Sequence, residues 1–212
     1  MNIGIIGAGS VGAGIGHGLI RAGHHAAISS RDPQHAKHGA WKQAAGGQGD
    51  VVSFNEAARF GELIVMALPW SCAADVLDNI DHSYMKNKTV IDVSNAVEFS
   101  SGPRLLYDNT SAGEIMQQML PESRVVKTLN TVSDKRMVRP AYREGVPVMF
   151  MSGNERHAKN QAAFLLNDLG WKDVVDLGDI RQSRLQESIM LACVISEIRL
   201  QSPGAAFALL RD

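Results

Sequence analysis

The sequence predicts an α/β fold, a doubly wound and mostly parallel sheet with a short C-terminal helical appendage. Three observations predict it. Short apolar runs alternate with helical patterns along most of the chain, the order that builds a parallel sheet with helices on both faces. One run, Leu63-Ile64-Val65-Met66-Ala67-Leu68, is continuously apolar, as a strand buried on both faces must be. The first run, Asn2-Ile3-Gly4-Ile5-Ile6, leads straight into Gly7-Ala8-Gly9-Ser10-Val11-Gly12, and a helical stretch from Ala13 to Ala22 follows.

Strand, glycine turn and helix N-terminus in that order are the context of a dinucleotide-binding fingerprint, and they make the fold Rossmann-type. Gly7 lets the chain leave the strand in a tight turn. Gly9 has no Cβ, so a pyrophosphate can approach the backbone. Gly12 lets the helix press on the strand. The free N–H groups and dipole of that helix favour a phosphate. Gly14, Gly16 and Gly18 cost helix propensity, about 1 kcal/mol each against alanine, which close packing or a ligand compensates.

Composition narrows the classes. The 212 residues suit one large domain, or one with a small appendage. A net charge of −1 with no basic or acidic run recommends neither nucleic acid nor an anionic membrane as partner. No apolar stretch reaches membrane-spanning length, and no charged region precedes the first apolar run, so a cytoplasmic protein is expected. Cys72 and Cys193 fall in apolar helical patterns and are expected as reduced, buried thiols. His35 and His38 have i,i+3 spacing but no third ligand in view, so no metal site is expected.

Gly23 ends the first helix and His25–Ser29 is the second strand. Its tip reads the cofactor. A carboxylate there would hold the 2′-hydroxyl of NAD, but this strand ends in Ser29-Ser30-Arg31. Two hydroxyls and a guanidinium suit a 2′-phosphate, which points to NADP. Asp32 precedes Pro33 and is expected to cap the next helix. Residues 33–47 are polar and small, and Gly46-Gly47-Gln48-Gly49 interrupts the chain.

Val51–Phe54 is read as a third strand, followed by a short helix capped by Asn55. The apolar run from Leu63 ends at Leu68-Pro69-Trp70, and a helix from Ser71 to about Ile80 follows. Thr89–Val93 is a fifth strand, ending at Ser94-Asn95. Ligands of this fold bind at the carboxyl ends of the strands, so Leu68, Pro69, Trp70, Ser94 and Asn95 should face the nicotinamide. Residues 96–111 read as a loop, and Ser111 caps a helix stopped by Pro121. Val125–Leu129 is a sixth strand whose end, Asn130, joins the cofactor-binding set. Pro147–Met151 and Val174–Leu177 are two further strands around a helix over 155–169. Ser183–Leu200 is one long helix, broken by Ser202-Pro203-Gly204, and Ala205–Leu210 is a short apolar turn able to line a pocket for a flat ring. The expected organisation is an NADP-binding domain over 1–180, with 181–212 as a cover for the acceptor pocket rather than an independent domain.

The chain resembles the NADPH-dependent reductases of the deazaflavin coenzyme F-420, and is similar to the reductase domain of STEAP-type metalloreductases. The carriers are the glycine fingerprint, Ser29-Ser30-Arg31, Ala67-Leu68-Pro69-Trp70, Lys127-Thr128-Leu129-Asn130-Thr131 and Ser183-Arg184-Leu185-Gln186-Glu187-Ser188. The resemblance implies that Ser10, Val11, Ser30, Arg31, Leu68, Pro69 and Trp70 contact NADP. It also implies a second, flat acceptor, either F-420 or a flavin (FMN or FAD), laid on the nicotinamide. Hydride then passes directly between rings, and no catalytic side chain is expected. Where the family carries a helix lysine for the 2′-phosphate, the nearest residue is His35, a weaker and pH-dependent partner. The ending Pro203-Gly204-Ala205-Ala206-Phe207 departs from the family's glycine-rich tail.

The reading is therefore an NADP(H)-dependent oxidoreductase, expected as a homodimer with a small-molecule redox acceptor. Two other readings stand beside it. One is an NADP-binding redox sensor without turnover. The other is a small relative of the β-hydroxyacid and imine dehydrogenases, although the helix 183–200 holds no lysine or asparagine and no large helical domain follows.

Overall fold

The computed structural model describes residues 1–211; Asp212, the last residue of the segment 181–212, lies outside the described residues. The strands are β1 (Asn2–Ile6), β2 (His25–Ser29), β3 (Gly49–Val52), β4 (Leu63–Met66), β5 (Thr89–Asp92), β6 (Val97–Glu98), β7 (Arg104–Leu105), β8 (Arg124–Thr128), β9 (Val148–Gly153) and β10 (Asp173–Asp176). The helices are α1 (Ser10–Arg21), α2 (Gly39–Ala45), α3 (Phe54–Phe60), α4 (Ala73–Leu77), α5 (Ala112–Met119), α6 (Arg156–Asp168) and α7 (Ser183–Leu200).

Eight strands form one sheet in the order β10-β9-β8-β5-β4-β1-β2-β3. Every neighbouring pair is parallel except β8–β9. The chain steps outward from β1 to β2 and β3, then crosses to the other side of β1 at β4. That reversal opens a crevice above the carboxyl ends of β1 and β4. Strands β1 and β4 read as apolar runs because both faces are covered. Ile3, Ile5, Ile15, Leu19, Leu165 and Trp171 join one buried cluster, and Ile6, Ile64, Met66, Leu77 and Met116 the other. No helix among the described residues is long and apolar enough to cross a membrane.

Several elements differ from the sequence reading. Helix α1 begins at Ser10, so its first turn is the second half of the glycine fingerprint. Strand β3 lies two residues earlier than expected, because Ser53 and not Asn55 starts α3. Ser53 and Glu56 form a reciprocal capping box there. Asp32 closes a local turn by accepting from the Gln34 N–H, and His35 caps the short helical turn that follows. Residues 97–105 are not an irregular loop but pair as the antiparallel strands β6 and β7. Strand β9 runs against β8. A parallel return needs a crossover of a dozen or more residues, usually helical, and residues 129–147 supply only one short helical turn, at Asp134–Arg136. The tail after α7 is extended rather than turned. The Val148 N–H donates to the Phe207 carbonyl, and Arg211 forms a forked ion pair with Asp173. Cys193 is buried, which pushes its thiol up to about 11; Cys72 is only half-buried and its thiol lies against the Pro69 carbonyl.

Candidate cofactor and acceptor site

Every residue nominated from the strand ends lies along one edge of the sheet. In spatial order the tips are Asn130 after β8, Ser94-Asn95 after β5, Leu68-Pro69-Trp70 after β4, the glycine turn after β1 and Ser29-Ser30-Arg31 after β2. The glycines divide by what surrounds them. Gly7 has φ +124, and a Cβ there would meet the Ala67 carbonyl oxygen at 2.3 Å. A Cβ on Gly12 would lie 2.1 Å from the Gly7 carbonyl oxygen. These two are demanded by the fold. Gly9 has nothing within 4 Å of the Cβ it lacks, so this exposed glycine leaves open space before α1. No side chain caps α1 and its first turn holds no acidic residue, so the helix end is free to meet a phosphate. Ser10 is exposed beside it, while Ala8 and Val11 are half-buried.

At the β2 tip the three nominated residues have three different roles. Ser29 is buried, and its hydroxyl accepts from the Gly7 N–H at 3.0 Å, so it braces the glycine turn from beneath. Ser30 is half-buried and its hydroxyl closes a turn onto Asp32. Arg31 is exposed and, among the described residues, has neither a hydrogen-bond nor an ion-pair partner. His35 faces its own turn, with Nδ1 accepting from the Lys37 N–H at 3.1 Å. His38 meets Ser30 instead, Nε2 to Oγ at 3.1 Å. Burial first, and then the neighbouring Lys37, push the His38 imidazole below its ordinary range.

At the β4 tip, Trp70 is fixed by Tyr107. The indole N–H donates to the Tyr107 hydroxyl at 3.1 Å, and the rings meet edge to face at 6.2 Å. The β6–β7 hairpin delivers that tyrosine. Asn130 follows Leu129, a buried leucine held at φ +61. A left-handed non-glycine residue is strained, and such strain concentrates at functional tips.

Beneath the tips lies a charged cluster of Lys127 and Glu187, which fall in two of the motifs quoted above, with Asp92, which falls in none. Lys127 is fully buried, as is Asp92, its register partner on β5. The Lys127 ammonium lies 2.9 Å from Asp92 Oδ2 and 3.1 Å from Glu187 Oε1, and it donates to the Ser94 carbonyl. Burial opposes its charge, but the two carboxylates outweigh that and hold the lysine protonated. Burial pushes the Glu187 carboxyl up, against the pull of Lys127. The signal for this cluster is an acid and a base near the ends of two otherwise apolar strands, with a glutamate at i,i+3 spacing from the buried Met190 of α7. The same stretch of α7 docks to α5: Arg184 grips Glu114 with two bonds of 2.7 Å and holds that carboxyl below its usual range.

The tail residues Pro203–Ala206 line a cavity of about 610 Å³ together with Arg136, Tyr142 and Arg143. Its lining does not include Trp70, Asn95 or Asn130. A cavity of about 740 Å³ lies elsewhere, against β2, β3 and α3. Among the described residues no three His, Cys, Asp or Glu side chains are grouped to hold a metal ion.

Residues 2–96 match the family described as NADP oxidoreductase, coenzyme F-420-dependent. A crystal structure from Arthrobacter sp. FB24, provisionally described as an F-420-dependent NADP reductase, is 32% identical, and each chain covers 100% of the other with a TM-score of 0.92. The chain belongs to the coenzyme F-420-dependent NADP oxidoreductase family. Within reach of this family, the F-420-dependent NADP reductase of Methanocaldococcus jannaschii is 25% identical over 193 residues, 84% of this chain and 83% of that one. The human metalloreductase STEAP2 is 25% identical over 191 residues, which is 90% of this chain but 36% of that protein. The full-length match to the Arthrobacter structure includes α7 and the extended tail.

Proposed function

We propose that this NADP oxidoreductase passes hydride between NADP(H) and a flat ring acceptor, the deazaflavin F-420 or a flavin such as FMN or FAD. The observation that carries the reading is the free Arg31 guanidinium at the β2 tip, where an NAD-specific site would hold a carboxylate. The open space at Gly9 and the uncapped start of α1 fit the pyrophosphate. Ser10 and Val11 face the same phosphates, Ser30 and His38 stand beside Arg31, and Leu68, Pro69, Trp70 and Asn95 form the wall of the nicotinamide end. Ser29 braces the glycine turn, and Ser94 and Asn130 support the nicotinamide wall from below. The family's relatives named above support F-420 as the acceptor.

Bound NADPH would supply the hydrogen of its C4–H bond with the electron pair, and the acceptor would take it at the ring position that is carbon in F-420 and nitrogen in a flavin. NADP⁺ results, and a proton from water completes the reduced acceptor. The protein's contribution is to hold two rings at near-attack distance and exclude water. In this reading 181–212 acts as one body with 1–180, because Gln186 and Glu187 reach the strand tips. A second copy of the chain covers Leu185, Ile195 and Ile198, which are exposed on α7, and a monomer mass in analytical ultracentrifugation would remove that part of the reading.

Steady-state NADPH oxidation with F-420, FMN and FAD tests the function. Turnover with one of them supports it; tight NADPH binding with turnover on none supports a sensor. The glycines separate site from fold. Gly9→Ala is expected to leave stability within about 0.5 kcal/mol and to weaken NADPH binding by about tenfold or more, some 1.4 kcal/mol. Gly12→Ala is expected to cost about 1–3 kcal/mol of stability through overpacking. Urea denaturation and calorimetric titration of the two variants check the contrast.

A further inference from the structure

Two chains of hydrogen bonds run from adjacent residues of α7 to one half-buried residue at the β5 tip, Asn95. The first begins at Ser152, whose hydroxyl donates to Gln186 Oε1 at 2.5 Å. That bond and two carbonyl acceptors fix which way the Gln186 amide faces. Its nitrogen donates to the Lys127 and Phe150 carbonyls at 3.1 and 3.2 Å and lies 3.3 Å from Asn130 Oδ1. Asn130, with its oxygen so committed, turns its Nδ2 to Asn95 Oδ1 at 2.9 Å, and Asn95 Nδ2 donates back to the Asn130 carbonyl at 3.0 Å. Each amide therefore dictates the orientation of the next. One N–H and one lone pair of Asn95 remain for a ligand.

The second chain holds the backbone before Asn95. Glu187 and Asp92 pair with Lys127. Asp92 Oδ1 accepts from both the N–H and the hydroxyl of Ser94, at 2.9 and 2.6 Å, and the Lys127 ammonium binds the Ser94 carbonyl. Ser94 is thus gripped at both of its backbone polar groups, and Gln186 and Glu187 are buried to 0% and 2% exposure. A cluster of this cost could be replaced by apolar side chains if packing were its only task.

We propose that Gln186 and Glu187 are positioning residues that set the side chain and backbone of Asn95 against the carboxamide of the nicotinamide. This rests on the NADP reading above and adds how the ring is oriented: the long C-terminal helix, not a loop, determines which ring face is presented. A primary amide can both donate to and accept from Asn95, and Asn95 stands after β5, three strands from the β2 tip where Arg31 would hold the adenosine half, so the amide within its reach is that of the nicotinamide.

Calorimetric titration with NADP⁺ and with adenosine 2′,5′-bisphosphate, which lacks the nicotinamide half, tests the proposal. The wild-type chain is expected to bind NADP⁺ more tightly than the bisphosphate. Gln186→Leu and Asn95→Ala are expected to weaken NADP⁺ binding about tenfold, with the bisphosphate unchanged within about twofold. Ser152→Ala removes only the hydroxyl that orients Gln186, and is expected to give about a threefold loss for NADP⁺ alone; it decides the matter should Gln186→Leu fail to fold. The proposal is overturned if Asn95→Ala and Ser152→Ala keep the wild-type preference for NADP⁺, or if both ligands weaken in parallel. Failure of the wild-type chain to bind either ligand would overturn the NADP reading itself.

Discussion

Replacement of Arg31 by alanine is expected to weaken NADPH binding by about 10- to 100-fold, the value of one or two charge-assisted hydrogen bonds, and to leave NADH binding nearly unchanged. Arg31 stands at the end of β2 with its guanidinium exposed and, among the described residues, unpaired. Nothing in the fold depends on it, so the variant should melt with the parent. The 2′-phosphate is the one chemical difference between the two cofactors, and a fork of N–H donors is the group suited to it. Ser30 is expected to matter less, because its hydroxyl is already engaged by the Asp32 backbone and by His38. Titration of the variant with both nucleotides checks the prediction; equal losses for NADPH and NADH would show that Arg31 does not read the phosphate.

The second large effect lies in the buried cluster. Lys127→Met leaves Asp92 and Glu187 facing one another with no cation, and removal of one partner of a buried pair typically costs about 3–5 kcal/mol. At this chain length that is a fall in Tm of roughly 10 °C. The loss should shrink as the pH is lowered, because protonation of either carboxyl removes buried negative charge. Glu187→Gln is expected to act in the opposite sense. Burial raises the Glu187 carboxyl above its ordinary 4.5 in the folded chain. A proton held more tightly in the folded state stabilises it fully below the unfolded value, and that stabilisation is lost as pH rises through the folded one. Glutamine removes this dependence and leaves a one-to-one pair of Lys127 with Asp92. Its stability at pH 7–8 should equal or exceed the parent's, with a flatter pH profile above about 4.5. Urea denaturation of both variants between pH 4 and pH 8 separates these outcomes; a Glu187→Gln chain that loses as much as Lys127→Met would contradict the charge account.

The row of strand tips was legible in the sequence because it follows from three local signals: apolar strands, glycines at a strand-to-helix turn, and the residue types at each strand end. The glycine turn and Arg31 fall where those signals put them. Ser29 was legible as a tip residue but not as a brace, because alternation along β2 does not tell whether the last hydroxyl meets solvent or the Gly7 N–H. Spacing put His35 nearest the 2′-phosphate; that His35 caps its own turn while His38 meets Ser30 depends on how the segment after β2 folds, which spacing does not give. The reversal at β9 had a readable cause, the lack of a crossover helix between Thr128 and Pro147. Tyr107 sits in a stretch without periodicity, and only the β6–β7 pairing brings it to Trp70. The Lys127 cluster depends on register between β5 and β8 and on where α7 docks, long-range facts that a pass along the chain does not contain.

The central claim, direct hydride passage between two rings that the protein only positions, is tested by NADPH deuterated at C4 on either face, with F-420 as acceptor. F-420 has carbon at the ring position that a flavin fills with nitrogen, so transferred deuterium stays where it lands. The account predicts that the deuterium of one face appears on the reduced F-420 and that of the other stays on NADP⁺. Loss of the label to water as F-420 is reduced, or reduction of none of F-420, FMN and FAD, would contradict it.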